Sequence, residues 1–185
     1  MASKGSEYQK RQDGSATIFT VTPGKVPKFT TMIGVGVISL LMGLGTMSGV
    51  SGGIGFIFLL MGGFAAWYGW TRDIRPKEHR KPSTFRVTPG EIEANGITFK
   101  RDDIHRLILR NGITDQELLQ VTTTSAAAGA GMAYRARVGL IANALTVEAG
   151  GKSTVLAGGM DETTAYGVLA DVGKIMGYNL KEYAA

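Results

Sequence analysis

No cysteine occurs in the 185 residues, which excludes disulfides and cysteine-held metals and leaves the redox compartment open. Histidine is almost as scarce, with only His79 and His105. A metal centre needs three or more converging side chains, so Asp102-Asp103 with His105 reads as a solvated strand entrance. Enzyme motifs are missing as well. Gly158-Gly159 stands before a helix, but Asp161 and Glu162 place negative charge where a bound anion would have to sit. Ala126 to Ala133, with Gly129 and Gly131, lacks the third glycine of a dinucleotide loop and falls between expected strands; it reads as a flexible, charge-poor loop. No base stands in a recognisable relation to a nucleophile. No catalytic residue, cofactor, metal or small-molecule substrate is expected.

The longest absence is of charge. Phe29 to Thr71 is a run of 43 residues without Asp, Glu, Lys, Arg or His. One helix of that length would extend roughly 65 Å at about 1.5 Å per residue, about twice the roughly 30 Å hydrocarbon core of a bilayer. The run must therefore fold back. The Gly- and Ser-rich stretch Met47 to Gly53 supplies the break, giving a transmembrane hairpin of Phe29 to about Thr46 and Ile54 to about Trp70. With no ionisable group inside it, the hairpin has no chemical handle for a proton relay or ion path. Its first segment follows 28 residues of polar character and is too long for the apolar part of a signal peptide, so it is expected to stay in the protein.

Small residues recur at four-residue spacing in the hairpin: Gly45, Gly49 and Gly53, Ser39 with Gly43, and Gly62 with Ala66. Such faces let helix backbones approach closely in lipid, either within one hairpin or between copies. Trp67, Tyr68 and Trp70 cluster at the end of the second helix, where amphipathic rings favour the headgroup layer.

The formal charge of +5 is local. Residues 1–28 hold five basic and two acidic residues, residues 72–82 five and two, and residues 83–185 ten and eleven. The excess flanks the apolar run, which argues against nucleic acid as a partner and for basic flanks retained on the cytoplasmic side. Both termini are then cytoplasmic. Lys25 and Lys28 before the hairpin, and Arg72, Arg75, Lys77, Arg80 and Lys81 after it, are expected at the membrane surface among anionic lipid headgroups.

These features divide the chain into an N-terminal segment (1–28), the hairpin (29–71), a basic juxtamembrane linker (72–82) and a cytoplasmic domain (83–185) expected to fold by itself. Met1 to Ser15 shows no periodicity and receives no element. Thr17 to Thr22 alternates apolar residues with Thr before Pro23-Gly24, as a short strand does. Its phrase Phe19-Thr20-Val21-Thr22-Pro23-Gly24 returns as Phe85-Arg86-Val87-Thr88-Pro89-Gly90. A strand at 17–22 needs a pairing partner, and an open edge of the domain's sheet would provide one.

In the domain, strand alternation marks Phe85 and Val87, Ile97 and Phe99, and Ile104 to Leu109 before Asn111-Gly112. Leu118 to Thr124 and Tyr134 to Ile141 read as further strands. Leu145 to Ala149 and Lys152 to Ala157 flank Gly150-Gly151, which suits a tight hairpin with positive φ at both turn positions. A helix follows, with Asp161 as cap, Glu162 at its positive end and Gly177 as its close. Ala165, Val168, Leu169, Val172, Ile175 and Met176 form the apolar face that covers the sheet.

About seven strands and one C-terminal helix behind a helical hairpin resemble the pleckstrin-homology-like (PH-like) domains of bacterial membrane proteins. Phe85-Arg86-Val87-Thr88-Pro89-Gly90-Glu91-Ile92 and Asp103-Ile104-His105-Arg106-Leu107-Ile108-Leu109 carry the resemblance. It implies an α+β sandwich or barrel on the cytoplasmic face of a bacterial inner membrane. The Thr88 to Glu91 turn lacks the basic residues with which lipid-binding relatives hold phosphoinositides, so the resemblance implies a protein-interaction role. Two functions are open: a membrane anchor or scaffold presenting that domain to a protein partner, or a structural subunit of an oligomeric transport, secretion or pore-forming assembly.

Overall fold

A computed structural model describes residues 5–47, 52–113 and 126–178, with side chains of the last segment from Gly129 onward. The chain divides into two compact units. One is helical, built from Pro27–Ile74 and Thr124–Tyr134; the other is a sheet unit, comprising the described residues of Met1–Val26, Arg75–Thr123 and Arg135–Ala185.

The helical unit contains α1 (Thr30–Met47) and α2 (Gly52–Thr71). Both are long and apolar enough to cross a membrane, at 18 and 20 residues. They run antiparallel: the Phe29 N–H donates to Gly69 O at one end, and Gly43 meets Gly55 at the other. Their outer faces are apolar, with Ile38, Leu41, Leu44, Phe56, Leu60 and Phe64 each more than half exposed.

The contact face is made of glycines seven residues apart, Gly36 and Gly43 on α1 with Gly55, Gly62 and Gly69 on α2, all buried. A Cβ at Gly36 would lie 2.6 Å from Ala66 N and 2.7 Å from Gly62 O, and one at Gly62 would lie 2.8 Å from Gly36 O. This corrects part of the four-residue reading. Gly43, Gly62 and Ala66 do lie at the helix contact and Ser39 is half-buried, but a Cβ at Gly45 or Gly53 would meet nothing within 4 Å. Gly49 lies outside the described residues. Seven-residue spacing returns a position to nearly the same side after two turns, whereas a four-residue step drifts about 40° around the helix at 3.6 residues per turn.

In the sheet unit, β1 (Glu7–Asp13), β2 (Ala16–Thr22), β3 (Ser83–Val87), β4 (Glu91–Ala94) and β5 (Ile97–Lys100) form an antiparallel sheet in that order. A second antiparallel sheet contains β6 (Ile104–Asn111), β7 (Asn143–Ala149) and β8 (Lys152–Met160). Between β6 and β7 in sequence lies α3 (Ala126–Gly139), whose residues up to Tyr134 belong to the helical unit, and α4 (Glu162–Met176) follows β8.

The N-terminal strand docks as its sequence demands. The two Phe-x-Val phrases pair with each other, Phe19 opposite Phe85 and Val21 opposite Ser83. Phe19, Val21, Phe85 and Val87 are buried in one core with Ile92, Leu145, Val147, Leu156, Met160 and the α4 residues Ala165, Val168, Val172 and Met176. Residues 83–185 therefore lack part of their own core, and the compact unit includes the N-terminal strands. β1, in a stretch assigned no element, is polar because it is an edge strand: six of its seven residues are exposed, and Tyr8, the exception, covers Phe19 at a ring distance of 6.5 Å.

Turn chemistry follows the sequence closely. Gly150 and Gly151 have φ of 56° and 73° between β7 and β8, and Asn95 and Gly96 have 52° and 76° between β4 and β5. Asp161 caps α4 by accepting from Thr164 N, and Gly177 ends it in the left-handed conformation.

The stretch from Ala126 to Ile141 differs from its reading as a loop followed by a strand. It is helical through Gly139. Tyr134 and Val138 are buried four residues apart, followed by Ile141 and Ala142, which is a helical period. The alternation of Tyr134, Ala136 and Val138 with Arg135 and Arg137 mimics a strand, and the glycines mask the high helix propensity of the alanines around them. The expected strand at Leu118 to Thr124 lies outside the described residues. Among those described there are eight strands in two open sheets, two of the strands contributed from before the hairpin.

Candidate functional site

Two places concentrate the polar chemistry: the foot of the hairpin in the helical unit, and a clasp in the sheet unit where the chain leaves at Val26 and returns at Arg75.

At the foot, the last carbonyls of α2 have no partners within their own helix. Neighbouring segments supply donors. Phe29 N donates to Gly69 O (2.9 Å), Lys28 Nζ to Trp70 O (2.9 Å) and Tyr134 Oη to Arg72 O (2.6 Å). Aromatic rings surround these bonds. Phe29 stacks on Tyr134 at 4.8 Å, Lys28 Nζ lies 4.2 Å from the Trp70 ring centre, and the Arg72 guanidinium lies 4.9 Å from Tyr68 and 5.8 Å from Phe29. Trp67 and Trp70 stay well exposed. An uncapped helix end in a membrane costs several kcal/mol per unsatisfied group, so these donors suit the end of a membrane-crossing helix.

The clasp corrects the reading of the linker. Arg75, expected at the lipid surface, is 5% exposed and donates through Nη1 to Gly24 O (2.8 Å). Arg80 folds back, with Nε and Nη2 donating to Arg75 O at 2.9 and 2.8 Å. Gly24 N in turn donates to Gly159 O (2.8 Å), so the segments before and after the hairpin are tied to the end of β8. The His79 ring lies against Gly158, where a Cβ would collide with it, and near Gly112. Gly159, at φ +74°, passes so close to His79 O and Pro23 that a Cβ there would clash. Burial holds the His79 imidazole below its ordinary pKa, Glu78 opposes this, and Arg75 adds to the lowering. Nδ1 of His79 is buried without a hydrogen-bond partner among the described residues. Lys25, Lys77 and Lys81 are exposed.

A second clasp joins the N-terminus to α4. Asp161 Oδ2 accepts from Ser6 N and Oγ at 2.8 and 3.0 Å, and Ser6 O accepts from Thr164 Oγ1. Burial raises the Asp161 pKa, but the bonds from Thr164 and Ser6 outweigh it and leave the carboxyl below its usual value. Tyr8 Oη and Lys10 Nζ both donate to Asp171 Oδ2 (2.8 and 2.9 Å), and Gly167 makes room for the Tyr8 ring.

A cleft of about 570 Å³ opens between the end of β6 and the first turns of α4. Leu109, Asn111, Asn143, Glu162 and Tyr166 line it with Leu140. Leu140 and Tyr166 are 71% and 60% exposed, among the most exposed large side chains of the sheet unit. Asn111 and Asn143 are bonded to each other (2.9 Å) and to backbone carbonyls, so the polar floor is rigid. Sequence reasoning missed this surface because it depends on α3 being a helix. Among the described residues, no group of three or more His, Cys, Asp or Glu is placed to hold a metal.

No known protein family matches the chain, and no characterised protein or solved structure matches it.

Proposed function

We propose that this protein is an integral membrane anchor that presents a PH-like sheet domain at the cytoplasmic surface of a bacterial inner membrane for binding another protein. The observation that carries the proposal is the insertion of an apolar-faced helical hairpin between two adjacent, paired strands, β2 and β3. A pair of helices with such outer faces is stable against lipid and unstable against water. Two open antiparallel sheets with a C-terminal helix support the PH-like reading. The cleft beside α4, with Leu140 and Tyr166 exposed, supports protein binding, because exposed aromatic and aliphatic anchors are what interface centres use.

Photo-crosslinking from position 140 in intact cells tests the partner role, with position 93 on the opposite sheet as control. One discrete adduct from 140 and none from 93 is expected; equal, diffuse labelling from both would remove the cleft from the proposal. Cysteine substitutions, clean in a chain without native cysteine, test the topology. Ser153→Cys should be shielded from an impermeant thiol reagent in intact cells and Gly52→Cys should react.

A second reading, as a structural subunit of an oligomeric membrane assembly, is favoured by glycines outside the contact between α1 and α2. A Cβ at Gly34, Gly45, Gly53 or Gly63 would meet nothing within 4 Å, which leaves small-residue patches for other copies. A large, defined mass in detergent would favour this reading over the anchor.

A further inference from the structure

We infer that Arg72 forms a binding site for the phosphate of an anionic phospholipid at the foot of the hairpin, where Lys28 adds a second positive charge. The inference rests on the membrane reading above and narrows it from a band of basic residues to one site. Ten positions were candidates for the headgroup layer on sequence. The structure buries one of them, Arg75, on Gly24 O, and folds a second, Arg80, back onto Arg75 O although it stays exposed. Arg72 and Lys28 are instead held on aromatic faces one and two residues beyond the helix termini at Thr71 and Thr30.

The Arg72 guanidinium is only partly exposed. Its Nε is buried with no hydrogen-bond partner, and among the described residues no carboxylate pairs with it. The rings of Tyr68 and Phe29 offset some of its lost hydration, since a guanidinium is attracted to the negative face of an aromatic ring. They leave the two Nη groups, which unlike Nε are not sealed off, without an acceptor among the described residues. A half-buried cation without an acceptor is costly, and the acceptor that matches a planar guanidinium fork is a phosphate or carboxylate. The position selects between them. Arg72 follows Trp67 and Trp70, the residues that mark headgroup depth, so the available oxyanion there is a lipid phosphate. Lys28, whose Nζ already donates to Trp70 O, adds a second positive charge without the fork.

The test uses the full-length protein in phosphatidylcholine nanodiscs and the fluorescence of Trp67 and Trp70, the two tryptophans of the chain. Phosphatidylcholine brominated in its acyl chains should quench both; no quenching overturns hairpin insertion, and the lipid site with it. Brominated phosphatidylglycerol, titrated into quenching-free discs, then measures headgroup preference. Half-quenching by phosphatidylglycerol should need about fivefold more lipid in Arg72→Gln than in the parent, the factor expected from one basic residue at the surface. Arg72→Lys should fall between, Lys28→Gln should shift less than Arg72→Gln, and Lys77→Gln should match the parent. Equal titrations for Arg72→Gln and the parent, with insertion intact, overturn the site while leaving the membrane reading standing. Loss of the phosphatidylglycerol preference on adding inorganic phosphate at constant ionic strength would overturn the lipid assignment in favour of a free anion.

Discussion

Replacing Phe19 by Ala should strongly destabilise the sheet unit even though the hairpin separates this residue in sequence from most of its core. Phe19 is fully buried, and its ring stacks on Phe85 at 5.2 Å with an interplanar angle of 6°. Truncation of a buried Phe to Ala typically costs about 3–5 kcal/mol, against a total stability of about 5–15 kcal/mol for an ordinary domain. At roughly 2–8 °C per kcal/mol, depending on domain size, the midpoint should fall by about 6 °C or more. Phe85→Ala should cost a similar amount. The double variant should cost less than the sum by about 0.5–1.5 kcal/mol, the part of the interaction specific to the ring pair. Hydrogen exchange of the full-length protein in detergent reads this directly, because amides of β3 and β4 report opening of the sheet while those of α1 and α2 serve as an internal control. Unchanged protection of β3 in Phe19→Ala would show that the N-terminal strands are not part of the core.

Gly62→Leu should separate α1 from α2, because a Cβ there would already lie 2.8 Å from Gly36 O and Leu40 N; Gly45→Leu should not, and protease resistance of the hairpin in detergent distinguishes the two. Because burial and Arg75 lower the His79 pKa, the folded state binds fewer protons than the unfolded state between the lowered value and about 6.5. Stability contributed by neutral His79 is thus complete above that range and lost as pH falls through it. Urea midpoints measured from pH 7.5 to 5 should decline, and His79→Phe should remove that part of the slope. Asp161→Ala should cost about 1–2 kcal/mol as a lost helix cap and also release the Ser6 clasp, seen as faster exchange at Tyr8 and Gln9. Residues 83–185 expressed alone should fail to show a cooperative transition, whereas the full chain in detergent should show one.

Local rules made much of this architecture legible. The uncharged run, the Gly150-Gly151 turn, the Asp161 cap and the apolar face of α4 each depend on residues near one another in sequence. So does the strand character of Thr17 to Thr22, whose need for a partner is apparent even before the partner is known. Arg75 misleads because its charge is a property of the residue, whereas its burial depends on Gly24 O, 51 residues earlier. The glycines misled through their abundance: several registers present small faces, and the paired backbones of α1 and α2 select the seven-residue one. α3 was obscured by alternating arginines and by glycines among alanines, and with it the cleft beside Leu140. Tyr134 carries the clearest missed signal, since Ile141 lies seven residues on, an odd step that shares a face with Tyr134 and Val138 in a helix but not in a strand.

The insertion of the hairpin between β2 and β3 also sets the order in which the protein can be made. About 60 residues separate Thr22 from Ser83, and at roughly 5–20 residues per second the ribosome needs several seconds to cover them. For that interval β1 and β2 exist without β3, and a lone two-stranded hairpin is marginal in water. Phe19 and Val21 are then uncovered while α1 and α2 are being synthesised. The nascent chain must hold a sticky half-sheet until β3 emerges to close it. A chaperone that binds short apolar β segments would meet its strongest target here, early in translation, at residues 16–22.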